Sequence, residues 1–220
     1  MIRFATFPIL AVLGTLSSNA GGWAVITVEE LPNEIVVGRP VTLTYSVRQH
    51  GRTLLSGLRG SLEAQAAGQT VREDATPGLD VGRYDVSFTL PRPGTWTITL
   101  RSGFGNNAIT LMPIPVVNAG RSAPSLAPAE RGLRLFVAKG CVTCHVHPDV
   151  EGSGPVKVGP DLAGRRFAAE YLQRFLADPN IATTRGPGGF EMPNLNLDAQ
   201  EIASLTAFIN GERTTTTAGE

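Results

Sequence analysis

Residues 140–147 read Gly140-Cys141-Val142-Thr143-Cys144-His145-Val146-His147, and this stretch holds both cysteines of the chain and two of its three histidines. The spacing is Cys-x-x-Cys-His. On a helical backbone Cys141 and Cys144 stand three apart and Cys141 and His145 four apart, so all three side chains leave one face.

Two thiols and an imidazole on one face suit one edge of a porphyrin, and Cys-x-x-Cys-His is the attachment signature of a c-type haem. The thiols add to the vinyl groups while the imidazole reaches the iron. Three rival readings stand beside it. A zinc site needs four ligands, and no second Cys or His pair follows downstream. A thioredoxin-like dithiol follows a strand and opens a helix, whereas this motif follows a helical pattern. A disulfide between Cys141 and Cys144 leaves His145 without a role. Haem accounts for all three residues.

The helical pattern continues outward from the motif. ERGLRLFVAKG (residues 130–140), FAAEYLQRFLADP (167–179) and DAQEIASLTAFINGE (198–212) each carry apolar residues at spacings of three and four. Before them NAGRSAPSLAPAE, residues 118–130, is rich in Ala, Ser, Gly and Pro and reads as a flexible or semi-extended linker. Upstream again the period becomes two: AVITVEE, PVTLTYSV, RYDVSFTL, TWTITL and AITLMPIPVV are separated by turn residues. About seven such segments predict a small antiparallel sandwich of the immunoglobulin type, without the Cys pair of a true immunoglobulin domain. The expected organisation is a two-domain chain: an export signal at 1–20, an all-β sandwich at 21–117, a linker at 118–128, an all-α domain at 129–212 and a disordered tail at 213–220. There is no internal repeat.

Nineteen basic residues balance nineteen acidic ones among 220, so bulk charge gives no reason to expect nucleic acid or an anionic membrane as partner. The first residues place Arg3 ahead of an apolar run from Phe4 to Leu16 and end in Ser18-Asn19-Ala20, a small-x-small pattern suited to a signal peptidase. That run falls short of the ~20 residues that span a bilayer. A periplasmic or other extracytoplasmic location is expected, with membrane association through a retained N-terminal segment or a partner complex as the alternative.

Residues 126–212 resemble a class I cytochrome c. Gly132 and Phe136, the haem motif, Gly159-Pro160-Asp161-Leu162, a middle helix, Met192-Pro193 and a closing helix ending near Ile209 follow that family's order. The resemblance implies an all-α cytochrome c fold, one covalent haem c and roles for individual residues. His145 and Met192 are the implied axial ligands of the iron, and Met with His favours a high reduction potential. Gly159-Pro160 resembles the turn whose proline carbonyl accepts the proton on the far nitrogen of the proximal histidine. Leu162 is expected on the haem. Arg165 and Arg166 suit a haem propionate, with a solvated surface pair as the equal alternative. Leu133 and Phe136 should meet Leu205 and Phe208. Tyr171, Leu172, Phe175 and Leu176 read first as core. His147, two residues past His145 on a continuing helix, should point away from the iron and be exposed or hydrogen-bonded. The PDVEGSGPVKV segment reads as a surface loop.

The sandwich has His50 as its one histidine, no cysteine and Met112, which excludes a His₂Cys copper centre and leaves at most a weak two-ligand site. Trp23 and Trp96 read as core or edge packing. VRQHG and LPRPGTWTITLRSGFG loosely resemble the YtkA-like secreted sandwich domains, and a docking or spacer module is the plain reading.

The expected function is one-electron transfer by an exported electron carrier rather than an enzyme, with redox proteins or a membrane respiratory or photosynthetic complex as partners and no small-molecule substrate. Residues 126–212 hold eight basic and ten acidic groups, so a docking patch of lysines is not expected. Two alternatives remain: a structural haem relay subunit of a larger complex, and a haem redox enzyme with an open iron position.

Overall fold

The computed structural model describes residues 22–152, 154–156, 158–181 and 189–211. The predicted export segment and the polar tail lie outside the described residues. In chain order the β-rich half runs β1 Ala24–Val28, β2 Ile35–Val36, β3 Pro40–Gln49, β4 Thr53–Leu54, β5 Ser61–Ala66, β6 Gln69–Asp74, β7 Thr76–Pro77, β8 Arg83–Thr89, β9 Gly94–Arg101, β10 Ala108–Thr110 and β11 Ile114–Val117. The helical half follows as α1 Pro128–Ala138, α2 Cys141–Cys144, α3 Ala169–Ala177 with a 3-10 turn at Pro179–Ile181, and α4 Ala199–Ile209. No helix among the described residues is long and apolar enough to cross a membrane.

One sheet orders its strands β1-β3-β8-β7 with β4 also on β3, the other β2-β11-β9-β5-β6 with β10 also on β9. Among the described residues only β2 with β11 is a parallel pair. Alternation sets the core: Leu43, Tyr45 and Val47 of β3, Tyr84, Val86 and Phe88 of β8, and Trp96, Ile98 and Leu100 of β9 all point inward. There are more strands than periodic segments because β2, β4 and β7 have two residues and β10 three, too few to show a period.

Strand β1 departs from alternation, for all five of its residues are buried. A strand buried on both faces needs a cover on its outer side. That cover is the helical half. Gly140 has φ +80°, and a Cβ there would meet Ile26 O and Val25 Cγ1 at 2.5 Å. The residue that opens the Cys-x-x-Cys-His motif is therefore packed on the backbone of β1, and only glycine fits on both counts.

Helix α1 starts with proline in its first turn, where the missing N–H costs nothing. Helix α4 starts with a reciprocal cap: Glu201 N donates to Asp198 Oδ1 at 2.7 Å and Asp198 N to Glu201 Oε2 at 3.3 Å. The two helices cross at Gly132, where a Cβ would stand 2.0 Å from Ser204 O. Phe136 and Phe208 meet there with ring centroids 5.5 Å apart, as expected, with Leu205 buried and Leu133 half-buried beside them. On α3, Leu172 and Leu176 face the core. Tyr171, expected inside, is instead 44% exposed and stacks on half-buried Phe175 at 6.2 Å. Nine residues of helix have one narrow buried stripe, and Tyr171 falls beside it.

The interface between the halves is polar as well as apolar. Lys139 Nζ donates to Glu29 O at 2.5 Å, Arg131 to Leu31 O at 2.7 Å and Arg134 to Pro113 O at 2.7 Å. The connecting segment has no helix or strand from 118 to 127, and Ala123 N donates to the Glu34 carboxylate.

Candidate functional site

Helix α2 is one turn long, with Gly140 before it and His145 after it in extended conformation (φ −107°, ψ 137°). Here the structure corrects the expectation of a helix continuing through the motif: only the two cysteines share the helical turn. His145 N still donates to Cys141 O at 3.0 Å, which keeps the histidine at the end of the cysteine turn. Cys141 and Cys144 are not joined to each other. Burial, with the neighbouring Cys144 second, pushes the Cys141 thiol up to about 12, and burial pushes Cys144 up to about 11. Among the described residues no three Cys, His, Asp or Glu side chains converge as a metal-ion site.

The segment after the motif folds back onto it. Gly154 N donates to Val142 O at 2.7 Å, Val156 N to Thr143 O at 3.3 Å, Gly159 N to Cys144 O at 3.0 Å and Leu162 N to Val146 O at 2.9 Å. The expected surface loop is in this respect a backbone cradle for the Cys-x-x-Cys-His turn. Gly159 lies against the imidazole, where a Cβ would stand 2.6 Å from both Cε1 and Nδ1 of His145 and 2.9 Å from Nε2. Next to it Pro160 O is 3.0 Å from His145 Nδ1.

A carbonyl only accepts, so the proton of the neutral ring sits on Nδ1 and the lone pair on Nε2. Burial lowers the affinity of His145 for a second proton, partly offset by the Pro160 hydrogen bond. The Pro160 contact thus favours the tautomer that an iron ligand requires, and burial disfavours the charged ring. Two unpaired thiols on one helical turn, a lone pair on Nε2 and a glycine in place of any side chain against the ring fit a c-type haem.

The structure brings Cys141, Cys144, His145, Gly159, Pro160 and Leu162 into one cluster, with Leu162 7% exposed. Met192 lies in a segment without helix or strand, half-buried and packed against the core. Arg165 and Arg166 are both exposed, in the turn that follows Leu162. His147 is buried, which corrects the exposed half of its expectation. It stacks on Phe208 at 4.2 Å and accepts a hydrogen bond from Asp149 N at 3.2 Å, because the chain leaves the helix at His145 and turns this ring inward between α1 and α4. In the sandwich Trp96 is core, its Nε1 donating to Arg92 O at 3.1 Å. His50 packs on half-buried Trp23 with ring centroids 5.5 Å apart.

Sequence reasoning passes over Lys139 and the contacts near Met192. Arg52 forms an ion pair with Glu191 at 3.0 Å, and Trp23 meets Phe190 with centroids 5.9 Å apart. The one hint was Gly140, a glycine directly ahead of the first cysteine.

Comparison with known families matches residues 129–211 to the model described as Cytochrome c. No curated protein matches the chain. Solved structures with some likeness include a Bacteroides vulgatus protein assigned as a glycoside hydrolase, 16% identical, covering 41% of this chain and 17% of that one at a TM-score of 0.33. Another is a CARDB domain from Pyrococcus furiosus in complex with di-metal ions, 12% identical, covering 44% of this chain and 89% of that one at a TM-score of 0.27. The chain thus spans about a sixth of the first of these structures. Likenesses this weak have no bearing on fold or function.

Proposed function

Residues 129–211 being a cytochrome c domain that binds one covalent haem c, we propose that the chain is an exported one-electron carrier in which Cys141 and Cys144 would hold the haem and His145 Nε2 and Met192 would ligate its iron. The observation that carries this reading is the His145 ring: its Nδ1 at 3.0 Å from Pro160 O, its face against Gly159 and two free thiols on the preceding turn. The haem supplies the one-electron couple. The chain holds the His145 ring oriented through Pro160 O.

Export follows from the N-terminal segment and from the covalent attachment of a c-type haem. The partners are redox proteins, met through a domain whose charge is slightly acidic, and the sandwich is a docking module fixed to the haem domain. Arg165 and Arg166, both exposed, are the proposed partners of a haem propionate or of a surface group on a redox partner. Met192→Ala tests the ligation: the reduction potential should fall and the ferrous iron should bind carbon monoxide rapidly. Unchanged potential and unchanged ligand binding would remove Met192 from the iron.

A further inference from the structure

We propose that Trp23, His50 and Arg52 form a brace on the sandwich that positions the Met192 segment, so that the first domain controls the second axial position of the iron. This rests on the reading of Met192 as ligand. The two residues before Met192 both touch the sandwich: Phe190 meets the ring of Trp23 at 5.9 Å and Glu191 pairs with Arg52 at 3.0 Å. Among the described residues the Met192 segment has no ladder of its own; its ties within the haem domain include the packing of Met192 and Leu197 against the core, Asn194 Nδ2 donating to Ala177 O at 3.3 Å and Asn196 N donating to Asn194 Oδ1 at 2.8 Å. A segment held by side-chain contacts opens locally at the free energy of those contacts.

The corner that makes these contacts is preorganised. His50 and Gly51 have φ +52° and +70°, and Arg52 N donates to Gln49 O at 3.0 Å, which closes a tight turn between β3 and β4. His50 N donates to Trp23 O at 3.0 Å, and the two rings pack together. None of Trp23, His50 and Arg52 is needed for the sandwich core: Trp23 is half-buried and the other two are exposed. The strained φ at His50 serves the turn that presents them.

A brace also needs a fixed base. The sandwich is anchored on α1 through Glu29, Leu31 and Pro113, and on the residue before Cys141 through the contact of Gly140 with β1. It therefore touches the chain just ahead of the proximal motif and just ahead of Met192.

The test measures cyanide binding to the ferric, full-length holoprotein, together with the near-infrared charge-transfer band of methionine-ligated ferric haem. Arg52→Glu should speed cyanide binding about threefold, and the double variant Trp23→Ala/Arg52→Ala roughly tenfold with a weakened band. The swap Arg52→Glu/Glu191→Arg should return the rate toward wild type. These two side chains are 52% and 44% exposed, so the swap leaves the core intact. Met192→Ala serves as control. If it binds cyanide fast while Trp23→Ala/Arg52→Ala and Arg52→Glu match wild type, the brace is overturned and the ligation reading stands. If Met192→Ala itself matches wild type, the ligation reading fails and the brace with it.

Discussion

Lys139 Nζ lies 2.7 Å from Glu201 Oε1, and the two side chains are 3% and 12% exposed. The same ammonium donates to Glu29 O, and the same carboxylate caps α4. One buried ion pair thus ties the C-terminus of α1, the N-terminus of α4 and the end of β1. Removing one partner of such a pair leaves the other desolvated and uncompensated.

Lys139→Met should cost about 3 kcal/mol of unfolding free energy. Denaturant unfolding of the holoprotein measures it, and the double variant with Glu201→Gln should cost less than the sum of the two single changes. A loss below about 1 kcal/mol for Lys139→Met would mean that the pair is solvated in solution.

Gly132→Ala should destabilise although alanine is the better helix former by about 1 kcal/mol. The added Cβ would meet Ser204 O at 2.0 Å and Phe208 Cβ at 2.6 Å, so α1 and α4 have to separate. Overpacking of this kind costs about 2 kcal/mol. A rise in thermal midpoint would contradict the close crossing.

Gly140→Ala meets two penalties, a left-handed φ of +80° and the 2.5 Å approach to Ile26 O. The φ alone is worth about 1 kcal/mol or more. Proteolysis between the halves should accelerate, because β1 loses its cover. Cleavage at the wild-type rate would show that the contact is dispensable.

Gly159→Ala acts on the ligand rather than on the fold. Its Cβ would stand 2.6 Å from two atoms of the His145 ring, and the ring or its Pro160 hydrogen bond must give way. The reduction potential and the low-spin spectrum should change while helix content holds. An unaltered spectrum would mean that the imidazole is not held by this contact.

The parts of the molecule legible in the sequence are those set by local rules. Cys141, Cys144 and His145 declare themselves by spacing, Trp96 and Tyr84 by alternation, and α4 by its apolar residues at spacings of three and four. What escapes is long-range. Nothing local tells that Lys139 reaches Glu29, or that the outer face of β1 is covered, because each depends on how the two halves dock. His147 is hydrogen-bonded as expected but not exposed, for a related reason: a helical count of angle fails once the chain turns extended at His145, and burial against Phe208 is a tertiary fact.

The account stands on covalent attachment of haem at one turn of helix. The most direct measurement is the mass of the exported, matured protein under denaturing conditions. The prediction is the polypeptide plus one haem, reduced to bare polypeptide in the variant Cys141→Ala/Cys144→Ala. A wild-type mass equal to that of the polypeptide alone would contradict it.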